Sequence, residues 1–239
     1  MNFKPARVLR TITSIHVNSM KIKAIITGAT GMVGEGVLQE CLVHPDVEKI
    51  LVINRRPCGV AHPKLSEILH DDFFNLTPVA DQLTGYNACF FCLGVSSVGL
   101  KEESYYSLTY TLTITFAELL SRQNPGMTFC YVSGAGTDST EKGRMNWAHV
   151  KGKTENDLMK LPFRKVFACR PGFMLPSREA KNTSGYYAVF RFLYPVLRLL
   201  FPKFVSTLKE VALAMINAVI YRYEKPVLEV RDLLELAKR

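Results

Sequence analysis

The sequence holds no internal repeat, no low-complexity tract and no secretory signal. Repeat architectures are thereby set aside, as is the oxidising compartment in which disulfide frameworks persist. Its six cysteines (Cys41, Cys58, Cys89, Cys92, Cys130 and Cys169) lie mostly in apolar runs and read as reduced thiols, so the expected location is cytoplasmic. Cys89 and Cys92 have C-x-x-C spacing, but inside a buried-strand pattern rather than at a helix start. Core cysteines are the better reading, and neither a metal nor a redox site is expected. There is also no long run of basic residues and no aromatic–basic alternation, although the net charge is +9, from 30 basic and 21 acidic residues. Nucleic acid is therefore not an expected partner, and a phosphorylated cofactor accounts equally well for positive potential. No apolar stretch is long enough to cross a bilayer. The most apolar one, residues 186–201, is short and is interrupted by Arg191, Pro195 and Arg198. A helix lying on a membrane, a lid over a substrate pocket and a subunit contact all fit it, so self-association stays open. Residues 1–19 lack any acidic residue but carry Lys4, Arg7 and Arg10. That composition suits a transit peptide, yet a disordered extension before the first strand is the simpler expectation.

What is present is organised around Lys21 to Gly34. A short apolar run ends in the glycines Gly28, Gly31 and Gly34, spaced G-x-x-G-x-x-G, and a helical pattern starts at Val37, Leu38, Cys41 and Leu42. Strand, glycine turn and helix form the first unit of a dinucleotide-binding βαβ fold. Gly28 permits the tight turn, Gly31 lets backbone approach a pyrophosphate, and Gly34 lets helix pack on strand. The helix N-terminus then offers unpaired N–H groups to the phosphates.

Further apolar runs at 50–53, 65–70, 88–93, 127–132, 165–169 and 226–230 read as strands. Helical patterns at 104–120, 145–160 and 208–220, and a last one at the end of the chain, alternate with them. The expectation is an α/β fold, a doubly wound parallel sheet in a single Rossmann domain over 20–239, with a small C-terminal lid or substrate segment around 173–206. The second strand ends in Asn54-Arg55-Arg56. A carboxylate at that point would suit the ribose 2′-hydroxyl of NAD, and an arginine suits the 2′-phosphate of NADP. NADP is therefore the expected cofactor, NAD the alternative.

The stretch Gly28-Ala29-Thr30-Gly31-Met32-Val33-Gly34 resembles the fingerprint of the extended and atypical short-chain dehydrogenase/reductases. Asp72-Phe73, Arg170-Pro171-Gly172 and the helix over 147–155 resemble other landmarks of that superfamily. The resemblance covers roughly residues 20 to 235 and is close to the NAD-dependent epimerase/dehydratase-like branch. It implies a cofactor set of Gly28, Thr30, Gly31, Met32, Val33, Gly34, Asn54, Arg55, Arg56, Asp72, Phe73, Cys92, Leu93, Gly94, Lys151, Arg170 and Pro171. Within it Asp72 would meet the adenine amino group, and Cys92, Leu93 and Gly94 would line the cofactor. Ser133 would face the nicotinamide and, with Lys151, make up the catalytic set.

The chain departs from the pattern at the acid/base. In the family a tyrosine stands four residues before the lysine, on the same helix face. Here Lys151 aligns with the lysine and Trp147 with the tyrosine. An indole N–H only donates and shuttles no proton near neutral pH. His149, paired with Lys153 at the same spacing, is one substitute, although its ring should point about 200° away from Lys151. Tyr131, on the strand face of Ser133, and Tyr105, Tyr106 and Tyr110 are others. Two functions follow. One is an oxidoreductase, epimerase or dehydratase acting on a small carbonyl or sugar-like substrate with a rearranged acid. The other is a non-catalytic NADPH sensor or interaction module.

Overall fold

The computed structural model describes residues 20–175, 194, 197–201, 204–221 and 223–239. The expected extension over 1–19 and most of the apolar stretch at 186–201 lie outside the described residues.

β1 (Ile22–Thr27), β2 (Val47–Asn54), β3 (Leu65–Leu69), β4 (Ala88–Phe91), β5 (Thr128–Val132), β6 (Lys165–Arg170) and β9 (Val227–Glu229) form one sheet in the order β3-β2-β1-β4-β5-β6-β9. Every pairing in it is parallel. The strand order reverses between β1 and β4, and in open α/β sheets ligands bind at such a reversal, outside the carboxyl ends of the strands.

The apolar runs of these strands are continuous because both faces are covered. Side chains alternate strictly. Ile22, Ala24, Ile26, Ile50, Val52, Ala88, Phe90, Cys130, Phe167 and Cys169 point to one core layer. Ile25, Leu51, Ile53, Cys89, Phe91, Phe129, Tyr131 and Val166 point to the other. The first layer is closed by α1 (Met32–Val43), α5 (Leu208–Tyr221) and α6 (Val230–Leu236). The second is closed by the 3₁₀ turn Thr77–Leu83, α3 (Leu112–Gln123) and α4 (Asn146–Leu158).

The helical pattern expected at 104–120 is interrupted. α2 (Glu102–Tyr106) passes into a π-turn at Ser107–Thr111 before α3 begins. Periodicity does not announce such a turn, because it adds one residue without breaking the run of helix formers. Two short strands, β7 (Phe173–Leu175) and β8 (Val205–Thr207), pair in parallel and bracket the stretch expected to form a lid. Residues 176–193, where that lid would lie, are outside the described residues.

Candidate functional site

Register sets the site. Thr27 pairs with Ile53 on one side and Phe91 on the other, so the residues that follow these three strands emerge together. They are Gly28, Asn54 and Cys92. A cleft there is lined by Gly28, Thr30, Asn54, Arg55, Arg56, Phe73 and Leu93. It encloses only about 40 Å³, against several hundred for a chamber that swallows a small ligand. A dinucleotide would lie along it as an open groove.

The three glycines differ in what they require. Gly28 has φ +70°, and a Cβ there would stand 2.8 Å from the Cys92 carbonyl oxygen. A Cβ on Gly34 would come within 2.2 Å of the Gly28 oxygen. The protein itself forbids a side chain at both. Gly31 is different: its φ of −101° suits any residue, and the nearest atom to an added Cβ is the Gly28 oxygen at 3.4 Å. Nothing in the fold demands a glycine at that position, so its smallness leaves space for something outside the protein. Gly31 is also the N-cap of α1, with no side-chain cap, so the N–H groups of Met32, Val33 and Gly34 open the helix towards that space. Thr27, unremarked in the sequence, ties the turn to β4: its buried hydroxyl accepts bonds from the N–H of Cys92 (3.2 Å) and Leu93 (3.4 Å). A hydroxyl directly before the first glycine was the available signal.

Asn54 is buried and its amide donates to Glu67 on β3, which also accepts the Cys58 N–H. Arg55 and Arg56 are exposed at the rim, with no ion pair among the described residues. Phe73 is buried and stacks on Phe116 at 6.1 Å. Asp72 beside it is exposed, and one of its oxygens accepts the Phe74 N–H. Gly94 stands in open space.

At the other end, β5 delivers Ser133, and α4 lies over the loop that follows. Lys151 Nζ donates to the Ser133 carbonyl, and the Ser133 hydroxyl donates to the Cys169 carbonyl at 3.1 Å. Burial strips water from the Lys151 ammonium and lowers its pKa, with Glu155 one turn on working against that shift. A Cβ on Gly136 would stand 3.4 Å from Trp147 Cη2, and one on Gly134 would stand 3.9 Å from Lys151 Nζ. Trp147 and Lys151 thus share a helix face along the Ser133–Gly136 loop, as their four-residue spacing requires.

The alternative acids are committed elsewhere. Tyr131 is buried in the second core layer, where desolvation drives its pKa far up. Tyr105 is buried. The Tyr110 hydroxyl donates to Asp157, whose other bonds are to Lys153 and Lys160. That pairing removes Lys153 as a partner for His149. Tyr106, partly exposed and tilted against Tyr110 with ring centroids 4.8 Å apart, is the most exposed phenol of the set.

The Arg170 guanidinium is engaged within the protein: it bonds Glu155 twice, Glu229 once at 3.0 Å and the Ser139 hydroxyl. Glu155 is fully buried, and a buried carboxylate must be paired, which fixes where the arginine goes. The role sequence reasoning missed is this one, a brace between α4, β6 and β9. Pro171 contributes its carbonyl, which accepts the Ala135 N–H and holds the loop beside Ser133.

Solved structures with this geometry decide the fold. The Helicobacter pylori ADP-L-glycero-D-manno-heptose-6-epimerase superposes with a TM-score of 0.63 at 15% identity, covering 92% of this chain and 81% of that one. The Bordetella bronchiseptica enzyme WbmG, in complex with NAD, gives 0.64 at 13% identity over 91% and 77%. The chain has the Rossmann-like fold that these enzymes share. No family model matches the sequence. Among curated relatives, the Aspergillus oryzae protein fmp52-1, mitochondrial, is 28% identical over 159 residues, 64% of this chain and 66% of the relative's length. The Scheffersomyces stipitis protein FMP52-1, mitochondrial, is 25% identical over 231 residues, 91% and 100%. The cytoplasmic location expected above is overturned by these relatives, which are named as mitochondrial proteins. The cysteines are free, and reduced thiols, the basis of that expectation, do not single out the cytosol.

Proposed function

We propose that this protein binds NADP(H) in the groove from Gly28 to Ser133 and does so without the tyrosine-dependent proton transfer of its fold family. The observation that carries the first half is the turn at Gly31. There is space for a phosphate where no protein atom would stop a side chain, at an uncapped helix start. Nicotinamide chemistry, when the cofactor is bound, is hydride transfer. This chain's own residues would position it. Gly28, Thr30, Gly31 and the first N–H groups of α1, those of Met32, Val33 and Gly34, receive the pyrophosphate. Asn54, Arg55 and Arg56 take the 2′-phosphate, and Asp72 and Phe73 the adenine. Cys92, Leu93, Gly94 and Pro171 wall the groove, and Lys151 holds the nicotinamide ribose beside Ser133.

The second half rests on Trp147, which stands where the resemblance puts the acid. A donor-only indole orders the loop and moves no proton. The second reading, an active oxidoreductase or epimerase, is favoured by the desolvated Lys151 held against Ser133, an arrangement that pure binding does not need. The relatives' names support a mitochondrial residence, for which the acid-free, basic residues 1–19 are the proposed targeting stretch.

Calorimetric titration with NADPH and NADH tests the cofactor reading. NADPH should bind more tightly, and the Arg55→Ala/Arg56→Ala variant should lose that advantage while keeping its NADH affinity. One charge-assisted phosphate contact is worth about 1.5–3 kcal/mol, roughly tenfold to a hundredfold in affinity. Equal affinities in the unmodified protein refute the preference. Trp147 is the single tryptophan, so its emission should respond to NADPH if the nicotinamide end lies beside it.

A further inference from the structure

The turn that follows β2 is tied at both ends to a single atom. Glu67 Oε1 accepts the Asn54 side-chain amide at 3.3 Å and the Cys58 N–H at 2.8 Å. Arg55, Arg56 and Pro57 stand between those two anchors, and among the described residues no other hydrogen bond holds this turn from within. Proline has no N–H to give and draws the residue before it, Arg56, into extended backbone. A loop with so few bonds of its own takes its shape from its ends.

Register says from which side the carboxylate reaches the turn. Glu67 pairs with Val52 and Leu69 with Asn54, so Glu67 stands two residues short of the edge where a ligand would meet the sheet. The groove is lined by Asn54, Arg55 and Arg56, and Glu67 is not among its lining residues. A carboxylate facing the groove would accept the ribose 2′-hydroxyl of NAD and oppose a 2′-phosphate. This one is spent on protein N–H groups beneath the turn. Both arginines are left exposed above it.

We propose that Glu67 is a positioning residue for cofactor specificity, holding Arg55 and Arg56 at the rim where the 2′-phosphate arrives. The inference rests on the NADP(H) reading above and names the residue behind its selectivity. β3 leads on to His70, whose Nε2–H is shared between the carbonyls of Asp72 at 2.7 Å and Asn75 at 2.8 Å. Both partners are acceptors, so that nitrogen carries the proton. The His70 ring also lies 6.2 Å from that of Phe73. This second clamp shapes the adenine loop, which NADPH and NADH use alike. One strand thus holds a residue for what the two cofactors share and another for what separates them.

Charge and reach can be separated by substitution. Glu67→Gln keeps the acceptor oxygen and loses the charge; Glu67→Asp keeps the charge and falls a methylene short of the anchors. Both variants and wild type are titrated calorimetrically with NADPH and NADH. The Gln variant should keep the wild-type ratio of affinities. The Asp variant should lower it roughly tenfold, the worth of one charge-assisted contact, with NADH binding nearly unchanged. His70→Leu should weaken both cofactors together and leave the ratio alone. Without cofactor, the Cys58 N–H followed by NMR should exchange faster in the Asp variant and at the wild-type rate in the Gln variant. A ratio kept in Glu67→Asp and raised in Glu67→Gln overturns the inference and makes the carboxylate an opponent of the phosphate. Unchanged Cys58 exchange in Glu67→Asp overturns the clasp whatever the cofactor. Equal affinities in wild type refute the preference on which the role rests, whereas an unaltered ratio in Glu67→Asp beside a wild-type preference overturns the role alone.

Discussion

At the β1–α1 end of the groove the backbone is held by approaches so close that Gly28 and Gly34 admit no side chain. At the β5–α4 end the backbone is held largely by charge. Lys151 is pinned on a carbonyl, Glu155 is buried under Arg170, and Asp138 gathers the N–H groups of Thr140, Lys142 and Gly143. Steric holding involves backbone alone, Gly34 closing on Gly28 within the turn and Gly28 on Cys92 across the sheet, and asks nothing of any side chain. Ionic holding depends on partners 15 and 59 residues away and fails as a unit when one leaves. At the second end Trp147 and Lys151 lie along the Ser133–Gly136 loop, four residues apart on one helix face.

The sharpest way to break that contrast is to restore the acid. A Trp147→Tyr variant places a phenol one turn before Lys151, and general acid/base catalysis is worth about 10²–10⁴-fold. With NADPH and a panel of carbonyl compounds, absorbance loss should appear in the variant above the wild-type background. Strong wild-type turnover would show that the second end never lost its chemistry and would direct attention to Tyr106. Next in size is the ionic brace. Glu155→Ala leaves Arg170 buried without its main partner and should cost about 3–5 kcal/mol of folding stability, read by urea denaturation. A change under about 1 kcal/mol, the range of an exposed pair, would mean that the brace carries little.

Steric holding is tested by a pair of glycines. Gly34→Ala should destabilise by about 1–3 kcal/mol through overpacking, whereas Gly31→Ala should melt with wild type and lose NADPH binding. A fall in melting temperature at Gly31 would show that this glycine serves the fold after all. The smallest effect concerns acid. Hydrogen bonds from the Thr140 hydroxyl and the Gly143 and Thr140 N–H groups hold the Asp138 carboxyl down to about 2 from its ordinary 3.8. A depressed folded-state pKa stabilises above the unfolded value, so that contribution is complete above about pH 4 and lost as pH falls towards 2. Thermal melts of Asp138→Asn across that window should show a flatter decline than wild type; parallel declines would remove Asp138 from the account.

The difference between the ends also explains what could be read in advance. The parallel doubly wound sheet, the glycine turn and the Trp147–Lys151 spacing were legible because each leaves a local pattern: apolar runs in buried strands, three residues between glycines, four along a helix. The Arg170 brace was not legible, because its motif position says nothing of Glu155 and Glu229, which reach it only through the packing of α4 and β9. The π-turn at Ser107–Thr111 was invisible for a related reason. One extra residue in a helix is selected by what packs on both sides of it.

The Arg170 brace also bears on the order of events in folding. One of its partners, Glu229, lies on the last strand to be made. A nascent chain that has emerged as far as α5 holds a complete glycine turn and a complete cleft, yet β6 still has an open edge and Arg170 has half its carboxylates. Glu155 shares a helix with Lys151, so the ion pairs of Arg170 tie the helix that carries the lysine to the final strand. Removal of the C-terminal strand would reach Lys151 through this long-range contact while leaving the nucleotide turn formed.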